Sequence, residues 1–470
     1  MHSSRLLTVA DNDNGYHGAP NPAQKEKGGP VDVASPPVSP PASARRPKVA
    51  PALPGPRAAA LVARDAEALS TSFTRPYPLA MARGEGLWIT DIDGNEFLDF
   101  TAGIAVTSTG HSHPKVVAAI EEQVRKFLHM SGTDFYYEPE VRLAERLQAS
   151  APVKAPARVF FANSGAETIE GAIKLARWAT RRPHFLAFTG AFHGRTMGAL
   201  SLTGSKAVQR DGFAPLVPGV FHVPYPSASH GGPSSDEVFE RIDQLFHTLA
   251  KPDSFAAIFV EPIQGEGGYI VPPDDFLPRL RALASEHGIL LVVDEIQSGM
   301  GRTGKLYAIE HWGVTADIVV LAKGIASGLP LGAIIGGGGV MSWPPGAHGS
   351  TFGGNPVSCA AALATLDLIE GGLQENAATR GVQLREGLGA LASRHAAITD
   401  VRGKGLMVAF EVRTPALTNA VMQQAFRRGL LVLPTGARAI RLSPALTVSS
   451  DEIAVALEIL DASCAAAAAA

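Results

Sequence analysis

The chain has 470 residues, of which 46% are apolar and 18% charged, and its formal net charge is -3. The length favours two or more folded units, and the weak charge excludes the basic surface that binding to a nucleic acid or an anionic membrane requires. The two cysteines, Cys359 and Cys464, form no metal-ligand or disulfide pattern, so we predict no metal site and a reducing, cytoplasmic compartment.

Proline dominates the beginning of the chain. The first 56 residues hold 11 of the 35 prolines, together with much serine, alanine and glycine. Such a segment cannot bury enough apolar surface to offset the entropy lost on ordering, so we predict a disordered tail over residues 1–60. Residues 61–112 follow as a segment that joins a small C-terminal domain, and LWITDIDGNEFLDF predicts two strands there, around Asp93-Gly94.

Helices and strands alternate through the middle of the chain. HPKVVAAIEEQVRKFLHM, EPEVRLAERLQAS and ETIEGAIKLARWATR predict helices, whereas RVFFA, HFLAFTG, SFAAIFV, ILLVVDE and DIVVLA predict short apolar strands. This alternation is typical of an α/β fold with a mostly parallel central sheet and helices on both faces. We place this large domain at residues 113–351. Residues 352–464 predict a smaller α+β domain, with strands at DVRGKGLMVAFEV, LLVLPT and AIRLSP.

Groups that can do chemistry follow five of the predicted strands. Because ligands bind beyond the carboxyl ends of parallel strands, we expect these groups at one edge of the sheet. In chain order they are Gly165 and Ala166 in NSGAE, Phe192, His193 and Arg195 in FHGR, Glu261 and Glu266 in EPIQGE, Asp294 and Gln297 in DEIQ, and Lys323. Each is a weak signal alone, but their agreement indicates a site.

Two interpretations stay open for each of these groups. The SGAE segment is a capping box that opens a helix, and the bare amides of Gly165 and Ala166 would equally bind a phosphate. Asp294 would cap the next turn or hold a proton on a ring nitrogen. Lys323 would be a strand-end lysine that reaches water, or a dry amine that attacks a carbonyl.

One cofactor needs this combination of groups. Pyridoxal 5'-phosphate requires a phosphate cradle, a ring platform such as Phe192, an anion for the ring nitrogen and a lysine for its aldehyde. Gln297 would donate to the ring hydroxyl, and His193 is a candidate polar neighbour. Lys323 would form an imine with the aldehyde. Once an incoming amine displaced it, Lys323 would move a proton between the substrate carbon and the cofactor.

Six motifs carry a family resemblance. NSGAETIEGAIKLAR, FHGRT, EPIQGEGG, DEIQSGMGRTG, LAKGIASGLPLGA and STFGGNP resemble those of the class III aminotransferases, of pyridoxal-phosphate fold type I. The resemblance covers about residues 62–462 in the family's order, and DEIQSGMGRTG with LAKG is its most specific part. Within the family, the sequence is most similar to 4-aminobutyrate aminotransferases. The glycine run 336–339 departs from the family pattern and predicts poor local order.

The resemblance implies roles at the cofactor. Lys323 would carry the Schiff base, and Asp294 would hold the pyridine nitrogen. The other implied contacts are Gly165 and Ala166 to the phosphate, Phe192 and His193 at the ring, and Gln297 to the phenolic oxygen. Thr351 would reach the phosphate of the other subunit's cofactor, which implies a homodimer or a dimer of dimers.

The resemblance also implies roles toward the substrate. Arg195 and Ile104 match positions that hold the far carboxylate of 4-aminobutyrate, and Glu261 belongs to the same substrate-binding set. Arg441 matches the arginine that grips the α-carboxylate of glutamate, and Glu266 the residue that covers it when the other substrate is bound. A switchable pair hides a positive charge when it is unwanted. From the residues alone, Arg195 is equally a surface or phosphate-side arginine, and Arg441 part of an inter-domain ion pair.

The implied reaction moves an amino group from 4-aminobutyrate, or a similar ω-amino acid, to 2-oxoglutarate. Three alternatives remain: an amino-acid racemase or epimerase of the same family, an aminotransferase for ornithine-type ω-amines, and a non-catalytic relative. An intact set of Lys323, Asp294 and Gln297 argues against the last, because a binding protein has little use for all three.

Overall fold

The computed structural model describes residues 43–227 and 231–469. Most of the predicted tail, residues 1–42, therefore lies outside the described residues. The prediction was wrong for residues 43–60, where Lys48 exchanges two backbone hydrogen bonds with Glu96 (3.1 and 2.8 Å) and helix α1 spans Pro56–Ala68. Proline at the first position of a helix has a favourable φ and no hydrogen bond to lose, so a proline-rich segment can still order.

The predicted hairpin around Asp93-Gly94 is confirmed. Strands β1 (Met81–Glu85), β2 (Trp88–Asp91) and β3 (Glu96–Asp99) form an antiparallel meander that leads into the one-turn helix α2 (Ala102–Ala105). The pattern did not predict β1, because its MARGE sequence has no apolar alternation. Later in the chain, β13 (Leu430–Leu431) pairs in parallel with β3, so the N-terminal hairpin joins the C-terminal region.

The central sheet has seven strands. They are β4 (Arg158–Ala162), β5 (His184–Phe188), β6 (Val220–Val223), β7 (Phe255–Val260), β8 (Leu290–Asp294), β9 (Ile318–Leu321) and β10 (Gly332–Gly336). Their spatial order is β4-β10-β9-β8-β7-β5-β6, and all neighbours are parallel except β10, which is antiparallel to both of its partners. This confirms the predicted fold class.

Helices cover both faces of this sheet. They are α3 (Pro114–Lys126), α4 (Glu138–Ser150), α5 (Gly165–Thr180), α6 (Met197–Leu202), α7 (Ser235–Thr248) and α8 (Phe276–Glu286). In β9, Val319 and Leu321 belong to one hydrophobic core, whereas Ile318 and Val320 belong to the other. A strand buried on both faces reads as a continuous apolar run, as DIVVLA does.

The C-terminal region contains the third sheet. Its elements are α9 (Pro356–Leu368), a π-helical turn (Ile369–Leu373), α10 (Gln374–Arg394), β11 (Ile398–Lys404), β12 (Met407–Val412), α11 (Pro415–Arg427), β14 (Leu433–Thr435), β15 (Ala439–Leu442) and α12 (Ser450–Ala468). The strand order is β11-β12-β15-β14, antiparallel throughout. The single predicted strand over DVRGKGLMVAFEV is a hairpin, which turns at Gly405 with φ of 52°.

The apolar helical stretch after residue 355 and the glycine run 336–339 are both part of the folded protein. Within the described residues, the helical stretch Pro356–Arg394 is long and apolar enough to cross a membrane, but half of its apolar window is buried in the protein, as in a core helix. The glycine run is ordered, contrary to expectation: Gly338 N donates to Lys154 O at 2.7 Å. A Cβ on Gly337 would lie 2.5 Å from that carbonyl oxygen, so the close approach requires glycine. The predicted domain boundaries stay predictions.

Candidate active site at the carboxyl edge of the central sheet

The predicted strand ends meet at one cavity of about 410 Å³. Most of the predicted residues line it: Gly165, Ala166, Phe192, His193, Arg195, Glu261, Asp294, Gln297 and Lys323. Ile104 and Thr351 are not among its lining residues, and Glu266 and Arg441 form an ion pair that is also outside the lining. The sheet therefore brings the cofactor candidates together by its topology.

A buried carboxylate and a buried imidazole form the floor of the cavity. Asp294 ends β8, and its Oδ2 lies 2.7 Å from His193 Nδ1, while its Oδ1 accepts a hydrogen bond from Ile296 N at 3.0 Å. Burial lowers the pKa of His193. Its hydrogen bond to Asp294 and the charge of Asp294 together raise this pKa by more than burial lowers it, so the net shift is upward. The pair therefore holds the carboxylate in one orientation, with its charge balanced.

The backbone of His193 is fixed as well. His193 N donates to Thr203 Oγ1 at 2.9 Å, and that hydroxyl donates to Gly194 O at 3.0 Å. Thr203 caps the end of α6, and no sequence signal had singled it out. His193 is thus a support for Asp294 in this fold, rather than an isolated polar neighbour.

Glu261 braces two loops. Its Oε2 accepts from Phe192 N and its Oε1 from Gly265 N, both at 3.2 Å. Burial raises the pKa of Glu261 to about 7. One carboxylate thus ties the segment of the candidate ring platform to the loop that carries Glu266.

Lys323 follows the fully buried strand β9 and is itself strained. Its φ is +46°, in the left-handed region that non-glycine residues rarely adopt. A Cβ on the next residue, Gly324, would lie 2.4 Å from Ser108 Oγ, so a larger residue there would require that hydroxyl to move. Burial is the main cause that lowers the pKa of Lys323, which favours the neutral amine. These features support the prediction that Lys323 carries a desolvated, neutral amine.

The start of α5 forms one wall of the cavity. Ser164 Oγ accepts from Glu167 N at 3.3 Å, as in a capping box. The reciprocal contact differs from expectation, because the Glu167 carboxylate accepts from Asn163 N and Asn163 Nδ2, both at 2.9 Å. The first amides of a helix have no partner within the helix, so those of Gly165 and Ala166 remain available to an anion.

Gln297 has an unused acceptor at the cavity. Its Oε1 is buried and has no hydrogen-bond partner within the part of the chain that the structure describes. A Cβ on Gly265 would lie 2.6 Å from Gln297 Nε2, so glycine at 265 makes room for this amide. A buried, unpaired polar atom beside a cavity is the kind of group that a ligand satisfies.

The ion pair of Glu266 and Arg441, which we call the gate, lies near Lys323, whose charge acts on Glu266. The Glu266 carboxylate accepts a hydrogen bond from Arg441 Nη1 in β15. Burial raises the pKa of Glu266, but Arg441 and then Lys323 lower it, and the net shift is downward. Arg441 is only 6% exposed. The pair is thus a buried ion pair whose guanidinium would be uncompensated if the carboxylate turned away.

The structure also places residues that the sequence did not suggest. Val106, Ile296, Leu329 and Pro330 add an apolar wall to the cavity. Leu329 and Pro330 lie in SGLPLG, shortly after Lys323, and this motif could have suggested them. Among the described residues, no group of three or more His, Cys, Asp or Glu side chains is arranged to hold a metal ion. The chemistry-bearing groups are therefore cationic, carboxylic and amide groups around a partly apolar cavity.

Comparisons with known proteins place this geometry in a family. The model of the class III aminotransferases matches residues 70–463. An alanine/serine racemase of Pyrococcus horikoshii is 40% identical over 88% of this chain and 92% of its own length, and a 4-aminobutyrate aminotransferase of Escherichia coli is 40% identical over 85% and 96%.

A solved structure gives the same result. The PLP-bound amine transaminase of an uncultivated Pseudomonas species is 34% identical, with a TM-score of 0.78, over 85% of this chain and 98% of that one. The likeness therefore extends over most of both chains. The protein belongs to the class III aminotransferases, which depend on pyridoxal phosphate.

Proposed function

We propose that this enzyme transfers an amino group from 4-aminobutyrate, or a similar ω-amino acid, to 2-oxoglutarate. The observation that carries the proposal is the buried Glu266–Arg441 ion pair near Lys323. Such a pair lets one cavity accept a monocarboxylate when it is closed and a dicarboxylate when it is open. The 40% identity to the aminotransferase of Escherichia coli supports this choice.

The cavity fits pyridoxal phosphate. Gly165 and Ala166 would hold its phosphate, and Asp294 its ring nitrogen. Gln297, whose buried Oε1 lacks a partner among the described residues, would contact the ring oxygen through its amide, and Phe192 would pack on the ring. When bound, the cofactor supplies a protonated ring that withdraws electrons from the substrate carbon.

Lys323 performs two tasks in this proposal. Its neutral Nζ, favoured by burial, would hold the cofactor through its aldehyde. When a substrate amine takes its place there, the freed Nζ would serve as the base and acid that moves a proton between the substrate carbon and the cofactor. Asp294, oriented by its contact with His193, would place its carboxylate at the ring nitrogen.

The carboxylates of the substrates are recognised at two places. Arg195 lines the cavity, with its guanidinium carbon 5.8 Å from the centre of the Phe192 ring, and it would hold the far carboxylate of 4-aminobutyrate. Arg441 would bind the second carboxylate of a dicarboxylate after Glu266 turns away. Glu261 lines the cavity, where it would face the substrate, and it also braces the site through two backbone amides.

The proposed enzyme is a homodimer or a dimer of dimers. Thr351 would contribute across the interface, as the family resemblance implies, and Ile104 would help to hold the far carboxylate of 4-aminobutyrate. Ile104 is 44% exposed, and the next residue after Thr351, Phe352, is 58% exposed and stacks with His129 at 5.0 Å. Exposed apolar side chains also recur between Phe127 and Val141, which supports a partner surface on this side.

We place the enzyme in the cytoplasm. Cys359 and Cys464 are both free and buried, as expected of thiols that are kept reduced. The partners that the composition supports are small amino and keto acids, since the net charge of -3 provides no field for nucleic acid.

Racemisation ranks second, because a relative of that description is 40% identical. A racemase needs no keto acid and has no use for an arginine that must be uncovered for a dicarboxylate, so the gate favours transfer. Ornithine-type ω-amines would use the same second half-reaction, and only the choice of donor separates them from 4-aminobutyrate.

The visible absorbance of the purified holoenzyme tests the proposal. We expect 4-aminobutyrate alone to abolish the band of the lysine-bound cofactor and 2-oxoglutarate to restore it, because each half-reaction changes the cofactor's form. A band that 4-aminobutyrate leaves unchanged would exclude this donor. Interconversion of D- and L-alanine without a keto acid would instead establish the racemase.

A further inference from the structure

Helix α2 is a left-handed turn. The φ values of its four residues, Ala102 to Ala105, are 45°, 61°, 68° and 59°, in a region that only glycine adopts without cost. Val106 N donates to Ala102 O at 2.8 Å, which closes the turn. Three of the four residues are not glycine, so the surrounding structure has to hold this conformation.

Asp99, at the end of β3, holds the entry to this turn. Its Oδ1 accepts hydrogen bonds from Thr101 N at 2.8 Å, from Thr101 Oγ1 at 2.7 Å and from Ala102 N at 3.2 Å. Its Oδ2 lies 2.9 Å from His111 Nε2, and the residue is buried. One carboxylate therefore fixes the chain before the turn and a side chain beyond it.

The chain that leaves the turn reaches the active site. Val106 lines the cavity. Thr109 N and Thr109 Oγ1 donate to Ser327 Oγ at 3.1 and 3.0 Å, and Ser327 ends the short helical turn that Lys323 begins. Residues 106–109 therefore form part of the cavity wall and pack against the turn of the lysine.

The segment after β15 holds the same region through carbonyl groups. Ser443 N donates to Phe100 O at 2.8 Å, and Ser443 Oγ donates to Thr101 O at 3.2 Å. Leu446 N donates to Ser108 O at 2.8 Å. These bonds do not involve the carboxylate at the entry, so its removal should free the turn without detaching the whole segment.

We propose that Asp99 is a positioning residue for amino transfer, because it holds the left-handed turn that sets residues 106–109 against the turn of Lys323. This inference rests on the proposed function. Asp99 is not among the residues that line the cavity, so it acts through the turn. Without its carboxylate the strained residues relax towards the right-handed region, and the cavity wall and the lysine lose their alignment with the substrate carbon.

The rate of the first half-reaction tests this inference on the holoenzyme. After addition of 4-aminobutyrate, the visible absorbance should change about tenfold more slowly in Asp99→Ala than in the wild type. The band of the lysine-bound cofactor should still form, because α5 and Asp294 are unchanged. Asp99→Asn should keep most of the rate, since the amide retains an oxygen that accepts the same hydrogen bonds.

The matched control is Asp91→Ala. Asp91 is a buried aspartate at the end of β2, and its Oδ1 accepts from Asp93 N at 2.9 Å and from Asn95 N at 2.8 Å. It holds the hairpin rather than the left-handed turn. Its loss should destabilise the protein to urea but leave the rate of the half-reaction unchanged.

A second substitution separates strain from general damage. Glycine adopts the left-handed conformation without cost, so Ala105→Gly should recover most of the rate that Asp99→Ala loses. Ala105→Gly alone should react as the wild type does. If Asp99→Ala does not fold, the same glycine should restore a folded and active enzyme.

Hydrogen exchange of the holoenzyme gives a readout that does not depend on the donor. The amide of Thr109 should exchange about tenfold faster in Asp99→Ala than in the wild type, and it should be unchanged in Asp91→Ala. A half-reaction of wild-type rate in Asp99→Ala, or no recovery with Ala105→Gly, would overturn the inference. A wild-type holoenzyme that ignores 4-aminobutyrate would refute the proposed donor instead, and unchanged exchange at Thr109 would then overturn the inference.

Discussion

The carboxylates on the floor of the cavity and the arginine at its gate differ in their pairing. On the floor, Asp294 has partners for both oxygens, and each oxygen of Glu261 accepts a backbone N–H. At the gate, Arg441 donates through Nη1 to Glu266, while its Nε is buried without a partner within the described part of the chain. A fully paired carboxylate is held in one orientation, whereas unpaired groups lower the cost of exchanging one partner for another.

A second guanidinium strengthens this contrast. Arg302 is fully buried and donates through Nη1 to the carbonyl oxygens of Leu406 and Pro444, while its Nε and Nη2 find no partner among the described residues. Burial lowers its pKa to about 10. With Arg441 and Arg302 against the single carboxylate of Glu266, the gate region has an excess of positive charge, which suits a site that must admit a second carboxylate.

The largest effect is expected at the floor, with Lys323→Ala. Loss of both the nucleophile and the proton carrier should reduce kcat by about 10^4-fold or more. The band of the lysine-bound cofactor should disappear as well. Lys251→Ala, at an exposed lysine far along the chain, is the control and should leave kcat unchanged. A variant at 323 that keeps wild-type turnover would refute the central assignment.

The next largest effect should come from His193→Phe. The change leaves the buried Asp294 carboxylate without its imidazole, and breaking such a pair costs about 3–5 kcal/mol of unfolding free energy. Because the pKa of His193 is raised above its ordinary 6.5, the contribution of the charged pair is full below that pH and is lost as the pH rises. The loss in urea unfolding should therefore be greatest in acid.

His222 is the control for the unfolding free energy that is lost in His193→Phe. His222 lies on β6, and its Nε2 contacts only the carbonyl oxygen of Leu202, at 3.1 Å. His222→Phe should cost about 1 kcal/mol, as for an ordinary hydrogen bond, without the same dependence on pH. Equal losses in the two variants would mean that the floor is not the preorganised region that its hydrogen bonds indicate.

At the gate, Arg441→Ala should separate the two half-reactions. We expect the KM for 2-oxoglutarate to rise about 100-fold, because a carboxylate loses a desolvated, bidentate partner. The KM for 4-aminobutyrate should change much less. The control is Arg438→Ala, since Arg438 directly precedes β15, is half exposed and pairs with Glu411. It should change neither of the two KM values. Equal effects of Arg441→Ala on both substrates would argue against a switch.

The floor could be predicted from the sequence because it follows a local rule. Buried strands read as apolar runs, and the groups that follow them, such as Asp294 and Lys323, meet at one edge of a parallel sheet. The family motifs then suggested individual roles. The pairing of His193 with Asp294 could not be predicted in this way, since it joins residues 101 positions apart.

The gate was harder to predict. Glu266 and Arg441 were singled out by resemblance, but the hydrogen bond from Thr435 Oγ1 to Gly265 O spans 170 positions, and nothing in EPIQGEGGYI indicates the positive φ of Tyr269. Ile104 and Thr351 lie outside the cavity lining, so the roles that the resemblance implies for them stay predictions.

The smallest effect concerns two buried glutamates with opposite pKa shifts. Glu295, beneath the floor, accepts from Ser298 Oγ at 2.6 Å and Ile309 N at 2.8 Å, and burial raises its pKa from 4.5 to about 7. Between these values the folded state keeps a proton that the unfolded state has released, so stability falls as the pH rises. This one group should remove about 2 kcal/mol between about pH 5 and pH 7.

Glu295→Gln should abolish that part of the decline, because the amide does not titrate. The measurement is the difference in urea-unfolding free energy between variant and wild type across this range. Glu266→Gln should show the reverse: the pKa of Glu266 is lowered, so its stabilising contribution is present above its ordinary 4.5 and lost in acid. The variant should then lose stability near neutral pH and match the wild type in acid. If both variants follow the same pH course, the floor and the gate do not differ in their electrostatics.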